Sequence, residues 1–437
     1  VPKENCMEKF FKLKERGTDV KTEVIAGITT FMTMAYILVV NPSLLSPSGM
    51  AWDKIFAATA LSSAIACLIM GLLANLPFAL APGMGLNAFF TFTVCLGMGH
   101  TWQFGLTAIF VEGVIFLLLT LCNVREAIVN SIPANLKKAI GAGIGLFIAF
   151  IGFQNAGIIV GDASTLVALN PAWFSNTSGV AMIGLVITGA LLAFKVPGAL
   201  LIGILATTVV GIPFGVTTYG GGSYLPPAPY FCQFAFQEVM QSPFEFIIVM
   251  FTFLFVDMFD TVGTLIGCAG KSNLIQEDGS IPNCKEALFA DAVGTTVGAM
   301  LGTSTVTTYV ESSAGVTAGG RTGLTAVVVA ALFLLSMFLS PIFNSIPSAA
   351  TAPALIIVGV YMITPVKDID FDDMSEGIPA FLTLIFMVCA YSISDGIMFG
   401  ILFYVILKAV TGKAKEIQVT TWIVFALFVA KIIVSVL

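Results

Sequence analysis

The sequence predicts an all-α membrane protein with fourteen transmembrane segments arranged as two inverted repeats of seven, and three observations lead there. Of the 437 residues, 57% are hydrophobic and only 10% are charged, with a mean hydropathy of +0.99; a soluble domain carries about 25% charged residues. Apolar stretches long enough to cross or half-cross a bilayer recur along the whole chain. Basic residues gather at every second boundary between those stretches, the positive-inside pattern. The formal net charge of -6 identifies no partner, because in a membrane protein the position of each charge matters more than the sum. Nothing in the composition points to nucleic acid.

Residues 1–21 are basic and amphipathic, with no apolar signal core at leader distance, and are expected to be a cytoplasmic lead-in. The first seven apolar stretches lie near 23–41, 55–74, 83–98, 104–122, 137–160, 178–194 and 198–213. The second seven lie near 244–268, 285–300, 310–318, 322–339, 353–364, 377–392 and 395–411. Between them runs the longest polar connection, Val216 to Ser242, with three glycines at 220–222 and two prolines at 226–227. If the N-terminus is inside, Arg125, Lys137, Lys138, Lys195, Lys271, Lys285, Arg321, Lys367, Lys408, Lys413 and Lys415 all fall inside. Of the 19 Lys and Arg residues only Lys54 and Lys431 break that pattern. Both ends of the fourteen-span bundle are then cytoplasmic, in a multi-pass protein of the plasma (inner) membrane. The segment 413–437 is apolar enough for one more helix, which either spans or lies along the interface.

The expected organisation is therefore a lead-in at 1–21, spans one to four in 22–125, five to seven in 126–215, an outer connection at 216–242, eight to eleven in 243–340, twelve to fourteen in 341–412, and the tail at 413–437. The tetrapeptide Asn130-Ser131-Ile132-Pro133 before the fifth span returns as Asn344-Ser345-Ile346-Pro347 before the twelfth. Because seven is odd, the second half enters the membrane in the opposite sense, which gives inverted repeats with a site near the midplane between broken helices.

Two stretches read as such breaks. Ser304 to Tyr309 is β-branched and rich in hydroxyls, favouring an extended backbone, and Ser312 to Gly315 suits the start of a small-faced helix. In the third span, Leu76 to Pro82 cannot begin as a regular helix, whereas Gly83 to Asn87 can continue as one. Short strands running into half-helices are expected at both places, buried in protein, because lipid cannot satisfy free backbone groups. Their N-termini are expected to face each other and present free N–H groups.

Glu311 sits in the second break, and Asp257 and Asp260 lie on one face of the eighth span at i, i+3. No lysine or arginine lies inside these spans, so a buried carboxylate here takes up a proton or finds strong N–H donors. Asp260 and Glu311 are read as functional, since ionisable groups inside spans are expensive and mark pathways. Glu112 and Asp291 are read as structural, and Asp257 stays open between the two. Asp395, in Ser392-Ile393-Ser394-Asp395-Gly396, fits a helix cap, and Asn87 fits either a helix cross-link or a ligand contact. His100, the single histidine, reads as interfacial, and Phe78 and Phe259 as packing, with stacking on a flat ligand as the alternative. The eight cysteines form neither a disulfide framework nor a metal-binding spacing, and no cofactor is implied.

FVDMFDTVGTLIG at 255–267, GTSTVTTYVESSAGVTAGGRTGL at 302–324, ALAPGMGLNAFF at 79–90 and TEVIAGITTFMTMAYILVVNP at 22–42 resemble signature segments of AzgA-like purine permeases, within the nucleobase/ascorbate transporter superfamily. The resemblance implies spans one to four and eight to eleven as a core domain and the remaining spans as a gate domain, often dimeric. It further implies import of adenine, guanine or hypoxanthine with protons. Carried over residue by residue, the substrate site would comprise Glu311, Asp260 and Asn87, lined by Thr33, Thr264, Val310 and Phe259. Proton coupling would fall to Asp260, Glu311 and the gate residue Asp395. The superfamily commonly has glutamate where this chain has Asp260, so ligand distances do not transfer directly.

An ion or small-anion carrier on the same architecture is the main rival, and two acids beside helix N-termini disfavour it. An intramembrane enzyme is disfavoured too: the GxGD context of an aspartyl protease is absent, and Asp372-Asp373-Met374-Ser375-Glu376 stands alone in a loop.

Overall fold

A computed structural model describes residues 6–121, 133–221, 224–272 and 281–436. The chain starts with a short helix α1 (Cys6–Phe10) and continues as α2 (Val20–Met34), α3 (Ile37–Leu45) and α4 (Trp52–Ile69), the last ending in a π turn. Strand β1 (Leu80–Pro82) leads into α5 (Met84–Ala88), which widens into a π-helical stretch over Phe89–Gly97 before α6 (Trp102–Leu121). Next come α7 (Ala134–Asn155), a hairpin of β2 (Ile159–Asp162) and β3 (Leu166–Leu169), α8 (Asn176–Ala193) and α9 (Ala199–Gly211). The second half holds α10 (Phe236–Gln241), α11 (Pro243–Ser272), α12 (Cys284–Leu301), β4 (Val306–Thr308), α13 (Ser312–Thr317), α14 (Gly323–Ser336), α15 (Ser340–Phe343), α16 (Ser348–Met362), α17 (Met374–Cys389), α18 (Ile393–Val410) and α19 (Val419–Val436).

Among the described residues, seven helices are long and apolar enough to cross a membrane, and three shorter apolar helices cover Met84–Gly97, Ala199–Gly211 and Met374–Cys389. The protein is a multi-pass helical membrane protein. Some expected spans escape a length-and-hydropathy measure for a physical reason: α13 has only 6 residues, and α12 carries Lys285, Glu286 and Asp291. The hairpin β2–β3 was not expected from the sequence.

The helices pack in two sets. In one, α2 lies against α13 and α14, α4 against α12 and α14, and α6 against α11 and α12. In the other, α7 lies against α16 and α17, α17 against α18, and α8 against α9 and α16. Pro133 precedes α7 and Pro347 precedes α16, so the prolines of the two echoing tetrapeptides each open a helix, and those two helices pack together. Residues 130–132 and Arg125 lie outside the described residues. The tail helix α19 packs on α18, and its Val424 and Phe428 line a cleft with Phe251 of α11.

The first apolar stretch is broken. Helix α2 stops at Met34, and tight turns link Leu38 N–H to Ala35 O and Val39 N–H to Tyr36 O as α3 starts. Pro42 lies inside α3, where its missing N–H removes the bond back to Leu38 and its ring crowds that carbonyl.

Candidate functional site

Strands β1 and β4 pair antiparallel, with Leu80 opposite Thr308, Ala81 opposite Thr307 and Pro82 opposite Val306. Gly83 N–H to Thr305 O (2.9 Å) and Tyr309 N–H to Ala79 O (2.9 Å) extend the ladder at its ends. A two-stranded ribbon has two outer edges, and here every strand residue is buried, so those edges need partners. Side chains supply them. The Thr295 hydroxyl donates to Val306 O (3.0 Å) and accepts from Val306 N–H (3.2 Å), while the Cys67 thiol accepts from Leu80 N–H (3.1 Å) and donates to Leu80 O (3.4 Å).

Glu311 follows β4 and occupies the N-cap position of α13, yet its side chain does not cap. The amides of Ser312, Ser313 and Ala314 instead bond to the carbonyls of Tyr309, Val310 and Glu311. This corrects the expectation of free N–H groups at that half-helix: the chain enters α13 through overlapping turns that occupy those amides. The Glu311 carboxylate turns toward α2, where Tyr36 donates its hydroxyl to Oε1 at 2.7 Å. Thr33, one turn earlier, reaches the Glu311 carbonyl at 3.4 Å but bonds better to Thr30 O at 2.7 Å.

Asp260 approaches from α11. It lies within electrostatic range of Glu311 and within hydrogen-bonding reach of Thr307 on β4. Tyr309 feels both acids, and its hydroxyl donates to Pro82 O at 2.5 Å. Among the described residues, no ion pair involves Asp260 or Glu311. The two acids the sequence singled out are thus neighbours, surrounded by hydroxyls rather than cations.

The remaining expected residues distribute as follows. Asn87 is fully buried one turn into α5; its Oδ1 accepts from the Ser304 hydroxyl, while Nδ2 has no protein partner. Thr305 and Thr308 likewise bury hydroxyls without partners. Thr264 bonds to the Asp260 carbonyl at 2.7 Å, and Val310 is exposed. The side chain of Phe259 lies outside the described residues. Asp395 is in the first turn of α18, in the other helix set, and the cap there is Ser392, which accepts from Asp395 N–H at 3.2 Å. Phe78 is fully buried, as the packing reading requires.

Other acids have structural partners. Asp257 and Asp291 are fully buried and both accept from Thr261. Glu23, also fully buried, accepts from the amides of Arg321, Thr322 and Thr325 and from the Thr325 hydroxyl at 2.6 Å. His100 bridges Glu238 (3.1 Å) and Glu245 (2.8 Å) at the foot of α11. Burial pushes Glu238 up, but hydrogen bonds from Thr101 and His100 outweigh it and hold the carboxyl below its usual range. Asp373 caps α17 and pairs with Lys413 at 2.7 Å, which accounts for the acidic loop without a metal-diphosphate role.

Sequence reasoning missed Tyr36, Thr307, Tyr309 and Tyr361, the last of which lies on α16 within electrostatic range of Glu311. One signal was available for Tyr36: it sits three residues after Thr33, on the same helical face.

A model of the permease family, Xan_ur_permease, matches residues 21–399. The chain belongs to that family. This permease is 45% identical to the guanine/hypoxanthine permease PbuG of Bacillus subtilis, over 97% of its own length and 98% of that protein. It is 42% identical to the adenine permease AdeP of Escherichia coli, over 98% and 96% respectively. The same fold occurs in the transmembrane domain of a cyanobacterial bicarbonate transporter, BicA, with a TM-score of 0.63 and 14% identity, covering 87% of the permease and 97% of that chain. The permease is accordingly a transporter and not an enzyme, and the resemblance carried by its signature segments holds over nearly the whole chain.

Proposed function

We propose that this permease imports purine nucleobases, with hypoxanthine, guanine and adenine as candidates, by proton symport. The observation that carries the reading is the pairing of Asp260 and Glu311 at one crossing, without a basic neighbour among the described residues. Two adjacent acids without cations repel an anion and attract a cargo bearing N–H groups, and one of them can hold a proton until that cargo arrives. Glu311 accepts base N–H groups, and Asp260 bonds to the base or carries the coupling proton. Asn87, whose Nδ2 is buried and unpartnered, reads another edge of the base. Thr33, Thr264, Val310 and Phe259 line the site, and Asp395, on the gate, serves proton coupling. The names of the relatives support the purine class. The BicA likeness supports the fold alone, so it does not revive the anion carrier.

The movement proposed is elevator-like. A core of 22–125 and 243–340 slides on a gate of 126–215 and 341–412, within an inverted-repeat fourteen-span plan, in the plasma membrane and as a homodimer. The two helix sets that pack among themselves are consistent with that division. The lead-in 1–21, the outer connection 216–242 and the tail 413–437 lie outside both domains.

Uptake of radiolabelled hypoxanthine by cells expressing the permease, with and without a proton gradient, tests the reading. Expected is uptake that unlabelled guanine or adenine competes away and that collapses with the gradient; uptake at background by well-expressed protein sinks it. Retained coupled uptake in both Asp260→Asn and Glu311→Gln removes the roles given to those residues.

A further inference from the structure

We infer that Tyr36 is a positioning residue of the cargo site, holding Glu311 in the orientation that receives the base; this rests on the reading that Glu311 accepts base N–H groups. A side chain at a helix N-cap ordinarily turns onto the amides of the first turn, a role that the short Ser, Thr, Asp and Asn side chains fill and the longer glutamate does not. Here those amides are already bonded within the turn, and the carboxylate leaves its own helix to meet a phenol 275 residues away in sequence.

The phenol is placed by a built feature. Tyr36 sits in the break between α2 and α3, is fully buried, and donates to Oε1 at 2.7 Å. Both flanks of the break are fixed to the same crossing segment. Ahead of it, Glu23 binds the amides leading into α14. Beyond it, Asn41 donates to Thr303 at 2.8 Å and to Thr59 at 2.7 Å. The helix pair α2–α3 therefore splints residues 303–325, and Tyr36 is the point at which this splint touches the carboxylate.

The consequence is chemical. An ionised carboxylate has about four acceptor positions; Tyr36 takes one on Oε1, the Glu311 amide N–H lies within reach of another, and the rest are left for cargo. It also fixes the carboxylate torsion, a freedom that binding would otherwise have to freeze. The other titratable groups facing Glu311 are Asp260 from α11, Tyr309 from the end of β4, and Tyr361 from α16. Tyr309 already donates to Pro82 O, and among the described residues the hydroxyl bonded to the Glu311 carboxylate is that of Tyr36.

The test uses full-length purified permease and hypoxanthine binding by titration calorimetry, alongside uptake kinetics. Tyr36→Phe keeps the ring and removes the hydroxyl; the expected result is binding weaker by about tenfold, with a raised KM and Vmax within about twofold. The double variant Tyr36→Phe with Glu311→Gln is expected to bind no more weakly than Glu311→Gln alone, because the phenol acts through the carboxylate. Unchanged binding in Tyr36→Phe, or fully additive losses in the double variant, overturns the inference. A ring-fluorinated tyrosine incorporated at 36 preserves shape and packing but has a more acidic phenol. It should move the alkaline limit of binding to lower pH, and a profile identical to wild type overturns the inference even if Tyr36→Phe does not fold. Failure of wild-type permease to bind any purine would instead sink the proposed function itself.

Discussion

The two broken elements, β1–α5 and β4–α13, share one ribbon yet are seated differently, one against the backbone of its own helix set and the other against a side chain of the opposite set. Gly315 of α13 lies against α2: an added Cβ would fall 2.6 Å from the backbone carbonyl of Ala26 and would also strike the Thr30 hydroxyl. Gly85 of α5 lies against α7, where an added Cβ would fall 2.5 Å from Cγ2 of Ile144, a buried branched side chain held near one rotamer in its helix. So α13 is seated backbone to backbone within its own helix set, while α5 meets the other set through a side chain. The acid is carried on the rigidly seated half, and the amide, Asn87, on the half that faces the other set.

The largest effect expected from this asymmetry is chemical. Glu311→Gln should reduce hypoxanthine uptake by at least about a hundredfold, since loss of an interaction with a charged group is worth roughly 1.5–3 kcal/mol and, on the proposed symport, the acid paired with Asp260 is lost as well. Asn87→Ala should cost less, about tenfold and mainly in KM, because its Oδ1 is already engaged by Ser304. Uptake measured on matched membrane expression decides between them. Equal losses would mean that the two halves contribute alike, and the comparison would fail.

Next in size is the seating. Gly315→Ala should lower the melting temperature of the purified permease and largely abolish uptake, because neither the Ala26 carbonyl nor α2 can withdraw. Gly85→Ala should cost less stability, because α5 meets a side chain rather than a backbone carbonyl, and should slow transport severalfold through the strained contact with Ile144 between the two helix sets. If Gly85→Ala proves the more destabilising, measured by thermal unfolding in detergent, then α5 is the rigid half.

Much of this asymmetry was legible beforehand, though unevenly. The strand-to-helix break could be read at 304–315 because hydroxylated β-branched residues give way to small ones, and at 76–87 because Pro77 and Pro82 forbid a regular start. Asp260 and Glu311 stood out because an acid in an apolar span has so few explanations. The pairing of the two strands was not legible, nor was Tyr36. Both depend on contacts between residues more than 200 positions apart, and no local pattern encodes which distant hydroxyl meets which carboxylate. The break in the first span hid for a related reason: it falls at Ala35 and Tyr36, in a run whose hydropathy never falters. The free N–H groups expected at α13 failed because consecutive turns, not a side chain, completed that terminus.

The smallest effects concern the ribbon's edges, where the two strands again differ. The Thr295 hydroxyl serves both Val306 groups, whereas the Cys67 thiol serves both Leu80 groups with a weaker donor and acceptor. Thr295→Val keeps the shape and strands a buried N–H and C=O, at about 1–3 kcal/mol each, and should lower the melting temperature by several degrees. Cys67→Ala should cost less, since sulfur gave less to begin with, and Cys67→Ser should recover most of that loss by offering a proper hydroxyl. Thermal unfolding of the three variants ranks them. If Cys67→Ala matches Thr295→Val, the two edges are equally held and the stiffness assigned to the β4 side has to come from the α2 seat alone.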